Sequence, residues 1–126
     1  MRILRSSTGS RRKQLGTDLE NAVVDEAKKA GFSSKKQPMS GQLKDFPADA
    51  VIDDVLVECK VRAVETKVSG AQSVSLDFNW LWKVTGEAKT HGFRFGVVVL
   101  RPKGLQRKIV SMRMEDFLDL LKEAKR

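Results

Sequence analysis

The sequence predicts an α/β sandwich, in which helices flank one central mixed β-sheet. Two short apolar runs joined at Asp53-Asp54 indicate a β-hairpin over residues 48–62. The continuous apolar run from Phe95 to Leu100 is typical of a strand that is buried on both faces. Segments with apolar residues at helical spacing precede, separate and follow these strands. This alternation of strands and helices favours the α/β class over an all-β or an all-α domain.

The first helix is predicted to open at Thr17-Asp18-Leu19-Glu20 and to end at Gly31, a residue suited to the left-handed turn after a helix. Thr17 and Glu20 have the spacing of a capping box, in which the glutamate side chain accepts a hydrogen bond from the threonine amide. The local pattern alone favours this structural role for Glu20. The apolar stripe of this helix comprises Leu15, Leu19, Ala22, Val23, Ala27 and Ala30.

The remaining elements follow in order along the chain. Residues 32–45 are predicted to hold an edge strand and a polar loop, and residues 63–75 a polar loop with an extended piece. A second helix is expected from the N-cap Asp77 to His91-Gly92. A short strand at residues 109–110 precedes a closing helix that begins with two acids. The apolar residues predicted to face inward from this closing helix are Phe117, Leu118, Leu121 and Ala124.

The composition excludes several classes of chemistry. The chain has 126 residues, which suits one domain, and only one cysteine, so a disulfide framework or a cysteine-rich zinc site is excluded. With one histidine and no tyrosine, histidine-dependent nucleases and tyrosine recombinases lose their reactive group. The chain contains no apolar run long enough to span a membrane, and its start does not resemble a signal peptide. A cytoplasmic location without membrane contact is the expectation.

Positive charge is concentrated at the start of the chain. The net charge is +8, from 24 Lys and Arg against 16 Asp and Glu. We predict a flexible basic arm over residues 1–14 and a single domain over residues 15–126. Such an arm suits a polyanion such as nucleic acid, although a solubilising tail is the alternative. The basic residues that precede the first acid are Arg2, Arg5, Arg11, Arg12 and Lys13.

The register of the hairpin places two acids together. If Asp53-Asp54 is a two-residue loop, Asp49 lies directly opposite Glu58. Like charges at such positions are destabilising, so the pair suggests that a divalent cation lies between the two carboxylates. Strand alternation sends Glu58 and Lys60 to this same face. The residues predicted for the opposite face are Val55, Val57, Cys59 and Val61.

The triplet Glu-x-Lys is a weak signal in this chain, which contains it at Glu26, Glu58, Glu65, Glu87 and Glu123. Only the triplet that begins at Glu58 lies in an apolar strand with an acid opposite. There, Asp49 and Glu58 would hold Mg²⁺, a cation that prefers oxygen ligands. Lys60 would position or deprotonate a water molecule, or stabilise the transition state; these alternatives stay open. An exposed polar strand face is the competing interpretation.

Pro47-Ala48-Asp49 followed by Glu58-Cys59-Lys60 resembles the PD-(D/E)xK nuclease superfamily, with an alanine inserted between the usual Pro-Asp pair. Within this superfamily the chain is similar to archaeal-type Holliday junction resolvases and their phage-encoded relatives. The resemblance spans about residues 15–101. The further features that carry it, in chain order, are Gly16 before Glu20, Gly31-Phe32, Ser40-Gly41, and Trp80-Leu81 through Glu87-Ala88.

The resemblance implies a restriction-endonuclease-like core and a homodimeric endonuclease that depends on Mg²⁺. Such an enzyme would resolve four-way DNA junctions by paired symmetric nicks, in recombination and repair. Mn²⁺ would substitute for Mg²⁺, no small-molecule cofactor would be needed, and a phage-encoded enzyme would act in the host cytoplasm. Glu20 becomes a third candidate active-site carboxylate and metal ligand, and Ser40, otherwise part of a flexible turn, a candidate contact to the scissile phosphate. The residues expected to bind DNA are Arg11, Arg12, Lys13, Lys35, Lys36, Ser40 and Lys44.

Two other functions remain open from the sequence. One is a different nuclease of the same superfamily, such as a restriction, repair or nicking enzyme that acts on ordinary duplex. The other is a basic nucleic-acid-binding protein without catalytic activity. The dimer interface is expected on the faces of the second and the closing helix that do not pack on the core. In the second helix Trp80 and Trp82 cannot both face the core, so one of them is available for core packing and the other for a surface or dimer contact.

Overall fold

The computed structural model describes residues 2–37 and 48–125, with side chains described from residue 13 onward. Within these ranges the predicted α/β class is confirmed, and none of the helices is long and apolar enough to cross a membrane. The elements are α1 (Arg2–Lys29), β1 (Ser34–Lys36), β2 (Ala50–Ile52), β3 (Val55–Arg62), β4 (Glu65–Thr66), β5 (Gln72–Ser73), α2 (Phe78–Thr90), β6 (Phe95–Pro102), β7 (Ile109–Ser111) and α3 (Met114–Ala124).

The main sheet of the described chain is mixed, with the strand order β1-β2-β3-β6-β7. The β3–β6 pair is parallel and the other neighbours are antiparallel. The predicted hairpin register is confirmed, because Ile52 pairs with Val55 across the two-residue loop. Asp53 has a positive φ of 50° and is held by Ser33, whose amide donates to Asp53 Oδ1 at 3.0 Å. This side-chain bond fixes the loop and therefore the register of the two strands.

Strand alternation divides the core between the two faces of the sheet. On one face α1 packs its Leu19 and Val23 against Val57 of β3 and Val97 of β6. On the other face α2 packs its apolar side over the alternate residues of the same strands. All eight residues of β6 are buried, as predicted for a strand covered on both faces. Alternation along β3 therefore places Val57 and Cys59 on the α1 face and Leu56 on the α2 face.

Helix α2 begins and ends as the sequence predicts. The carboxylate of Asp77 caps its first turn by accepting a hydrogen bond from the Asn79 amide at 2.8 Å. The helix backbone lies directly on β6, because a Cβ atom built on Gly96 would be 2.4 Å from the Val84 carbonyl oxygen. Only glycine permits this close approach. The contact fixes how α2 lies across the sheet.

Two predictions about the helices are wrong. Helix α1 begins at Arg2, so Thr17 lies inside it and cannot cap its N-terminus with Glu20. The predicted apolar stripe of α3 is present but exposed, and the only residue of α3 that is buried is Asp116. Arg113 holds Asp116 through two hydrogen bonds of 3.0 and 3.1 Å. The stripe stays exposed because no other described helix or strand packs closely on α3. The exposed residues are Phe117, Leu118, Leu121 and Ala124.

Candidate active site

The structure brings Asp49 and Glu58 together, as the hairpin register predicts. The Asp49 amide donates to the Val57 carbonyl at 3.0 Å, which continues the β2–β3 pairing by one residue. The Asp49 Oδ2 atom then accepts a hydrogen bond from the Cys59 amide at 2.8 Å. The aspartate side chain thereby replaces the strand partner that β2 no longer supplies. This clamp holds the Asp49 carboxyl close enough to Glu58 to raise the pKa of that glutamate.

Ala48, the inserted alanine, has an unusual backbone conformation. Its φ of 57° lies in the left-handed region, which residues other than glycine seldom adopt. Its side chain is buried in the cluster under α2 together with Val51 and Leu56. Burial of this small side chain holds the turn that leads directly into Asp49. The insertion therefore belongs to the structure that positions the candidate catalytic carboxylate.

The environment of Glu58 disfavours its charged form. Burial is the largest cause and raises its pKa from 4.5 to about 8, assisted by the hydrogen bond and the negative charge of Asp49. Lys60 and Lys83 oppose this rise. Near neutral pH the metal-free Glu58 therefore favours its protonated form, because a second negative charge beside Asp49 is disfavoured.

This shift predicts a pH-dependent stability for the metal-free protein. Because the pKa of Glu58 is higher in the folded state than the unfolded value of 4.5, the folded state binds more protons between pH 4.5 and about 8. The free energy of unfolding should therefore decrease as pH rises through this window. The contribution is fully present below pH 4.5 and is lost as pH passes about 8.

Thermal unfolding in EDTA from pH 4 to 9 tests this prediction. Glu58→Gln should lose less stability than the wild type as pH rises, because the amide has no proton to release. Glu65→Gln, a change at an exposed glutamate of β4, should follow the wild-type profile. Parallel profiles for the wild type and Glu58→Gln would contradict the assignment of the shift to Glu58.

Glu20 approaches the pair from α1. Its pKa is raised, first by burial and then by the charge of Asp49, while Lys36 opposes the rise. The Lys36 Nζ atom lies 4.0 Å from Glu20 Oε1. All three acids also raise the pKa of the buried Cys59 thiol, for which burial is the largest cause, so this thiol stays neutral among them. Glu20 is therefore part of the same acidic cluster instead of a helix cap.

The described acidic side chains do not form a complete set of metal ligands. Across residues 2–37 and 48–125, no group of three or more His, Cys, Asp or Glu side chains is arranged to hold a metal ion. Asp49 and Glu58 adjoin where the β2–β3 pairing continues by one residue, and Glu20 borders them from α1. Metal binding by side chains would therefore centre on the pair.

Cations and an aromatic ring border the pair on the α2 side. The Lys60 Nζ atom lies 5.1 Å from the centre of the Trp80 ring, and the Arg62 Cζ atom lies 4.3 Å from it. Trp80 itself packs against the core under α2, whereas Trp82 is exposed, as expected for two tryptophans that cannot share one helix face. Lys83 follows Trp80 by three residues and so shares its side of the helix. The Trp80 ring thus keeps Lys60 on the face of β3 that carries Glu58.

Sequence reasoning missed Arg62, Trp80 and Lys83 as members of this site. The available signal was that Trp80 and Lys83 are three residues apart in the helix that begins after Asp77, a spacing that puts both side chains on one side of the helix. Of the expected DNA-binding residues, Lys13, Lys35 and Lys36 have exposed side chains, and Lys36 contacts the acidic cluster. Ser40 and Lys44 lie outside the described residues, as do the side chains of Arg11 and Arg12.

Comparison with known proteins gives no further assignment. The chain matches no family model, no curated protein and no solved structure.

Proposed function

We propose that this protein is a Mg²⁺-dependent DNA endonuclease with a restriction-endonuclease-like core, and that its substrate is the four-way junction. The observation that carries the proposal is the juxtaposition of Asp49 and Glu58 beside Lys60, at the end of the β2–β3 strand pairing. Two adjoining half-buried carboxylates mark a position that a divalent cation can occupy. The net charge of +8 supports a polyanionic substrate.

The residues present suit an oxygen-coordinated cation. Asp49 and Glu58 would supply carboxylate oxygens, and the Cys59 carbonyl opens to the same strand edge. In a strand, the amide and the carbonyl of one residue point to the same side, and that side alternates from residue to residue. The Arg62 carbonyl accepts from the Lys103 amide on the β6 side, whereas the Cys59 amide donates to Asp49 on the opposite side. The Cys59 carbonyl therefore also points to the Asp49 side. When bound, Mg²⁺ lowers the pKa of a coordinated water and polarises a phosphate oxygen, and Mn²⁺ is expected to substitute.

The chain's own groups would then orient and stabilise the reacting phosphate. Lys60, held by Trp80, lies on the face of Glu58 and can position the attacking water or stabilise negative charge on the phosphate. Lys83 adds a second positive charge close enough to act on Glu58. Glu20, beside Asp49 and Lys36, would orient a water molecule at the border of the pair.

The test is cleavage of a four-way junction and of a linear duplex with the same arm sequences, each with and without Mg²⁺. We expect Mg²⁺-dependent nicks in the junction at a rate well above that for the duplex. Equal rates would indicate another nuclease of the superfamily that acts on ordinary duplex. Junction binding without any cleavage would leave a nucleic-acid-binding protein.

Paired nicks need two sites, and the described chain supplies one pair of carboxylates. We therefore propose a symmetric homodimer. An exposed apolar surface suits this contact: Leu120 of α3 and Phe32 line one groove, and Phe32 and Val110 line the next. The charges around it are already paired, Arg94 with Asp54 and Glu123, and Lys108 with Glu26. A second copy of this basic chain could pack there with little charge repulsion.

The dimer predicts a difference between two matched leucines. Leu120 of α3 is 41% exposed and Leu105 in the β6–β7 loop is 44% exposed, so neither substitution should damage the monomer fold. Leu120→Lys should shift the protein from dimer to monomer, because each copy would bring a lysine into the apolar contact. Leu105→Lys should remain dimeric. Light scattering coupled to gel filtration measures this; a dimeric Leu120→Lys protein would contradict the assigned surface.

A further inference from the structure

A cleft of about 500 Å³ runs along the edge of β3 beyond the end of β2. One wall is α1 at Leu15 and Gly16, and the other is the strand from Cys59 to Arg62, completed by Lys103 after β6. Its volume is within the range of sites that hold small ligands or parts of larger ones. The cleft begins at Cys59 and Lys60, and therefore extends directly from the carboxylate pair.

The lining of the cleft is positively charged. Lys60, Arg62 and Lys103 contribute to it, and no acidic residue of the described chain does. Arg62 lies against the Trp80 ring, which restricts its side chain. An anionic ligand in this cleft would meet three cations without competition from a carboxylate.

Arg101 adds a buried positive charge next to the cleft. It pairs in register with Val61, which lines the cleft, and it is only 8% exposed. Among the described residues no ion pair includes Arg101, and its buried Nε atom has no hydrogen-bond partner. An unpaired buried cation is costly unless an anion compensates it. A ligand with negative charge in the adjacent cleft would supply that compensation.

We propose that this cleft binds the phosphodiester backbone of the DNA strand beside the cleavage site, with Arg62 and Lys103 contacting phosphates and Arg101 providing a buried charge behind them. The inference rests on the proposed function and extends it to three residues outside the carboxylate cluster. The four steps along the strand from Glu58 to Arg62 span roughly 13 Å at about 3.3 Å per residue, so the cleft would hold the nucleotides next to the scissile phosphate.

Two exposed lysines give a matched test. Lys103 lines the cleft, whereas Lys89 lies near the C-terminal end of α2, away from it. The measurement is the Kd for a fluorescent four-way junction in EDTA over a series of NaCl concentrations. Lys103→Glu should weaken binding about tenfold and reduce the slope of log K against log salt by about one, while Lys89→Glu should stay within about twofold of the wild type. Equal Kd values for the wild type and Lys103→Glu would overturn the proposal.

Arg101→Met tests the buried charge. Methionine keeps most of the side-chain length, so junction affinity per folded molecule should fall while the melting temperature without DNA stays the same or rises. Unchanged affinity would overturn the role of Arg101, and a protein that does not fold would show a structural role instead. Because binding in EDTA needs no catalysis, a wild type that binds but never cuts would refute the nuclease and leave the cleft assignment standing.

Discussion

Glu58→Gln is expected to slow Mg²⁺-dependent junction cleavage by about a thousandfold or more. The substitution removes one of two carboxylates that would hold the cation, and metal stabilisation of the reacting phosphate contributes several kcal/mol. Each ~1.4 kcal/mol of lost transition-state stabilisation lowers the rate about tenfold. Binding of the junction in EDTA should be unchanged or tighter, because one acid no longer faces the phosphates. Gel-based cleavage and fluorescence anisotropy measure the two quantities on the same junction.

The chain provides a matched control for this substitution. Glu65-Thr66-Lys67 has the same Glu-x-Lys spacing but lies on the exposed hairpin strand β4, so Glu65→Gln should cleave at the wild-type rate. Asp49→Asn should resemble Glu58→Gln, although it also weakens the bond to the Cys59 amide. Cleavage by Glu58→Gln at a rate close to that of the wild type would exclude the carboxylate pair as the metal site.

The pair could be predicted from the sequence because a short hairpin has few degrees of freedom. Once Asp53-Asp54 is taken as the loop, alternation alone sets which residues face each other, and the structure has that register. The same local reasoning gives the buried strand β6 and the N-cap at Asp77, since each depends on neighbours within a few residues. These features need no knowledge of how distant parts of the chain pack.

The rest of the site depends on packing between distant segments. Trp80 and Lys83 reach β3 only because the connection from β3 to β6 places α2 over that face of the sheet. The spacing of apolar residues in α2 predicts a helix, but it does not specify which strand lies beneath each helical turn. For Glu20, a local pattern predicts the wrong role. Thr17-x-x-Glu20 matches a capping box, but α1 continues back to Arg2 and the glutamate belongs to the acidic cluster. The stripe on α3 indicates an apolar face without indicating which surface covers it.

The position of α2 depends on one glycine, and this predicts the largest change in stability. In Gly96→Ala the new Cβ would lie 2.4 Å from the Val84 carbonyl oxygen and 2.6 Å from the Val84 carbonyl carbon. Both are backbone atoms of a helix, so no side-chain rotation relieves the overlap and α2 must move away from β6. We expect the free energy of unfolding to fall by about 3 kcal/mol, the upper range for overpacked cores.

Gly86→Ala is the matched control, because it makes the same substitution within α2 where no described atom beyond the neighbouring residues and the helix's own backbone lies within 4 Å of the new Cβ. Alanine favours a helix interior over glycine by about 1 kcal/mol, so this variant should be more stable than the wild type. Urea unfolding measures both. In Gly96→Ala the displaced α2 should also carry Trp80 away from Lys60, which lowers cleavage even under conditions where the variant is folded. Equal stability of the two alanine variants would show that α2 does not rest on β6 at Gly96.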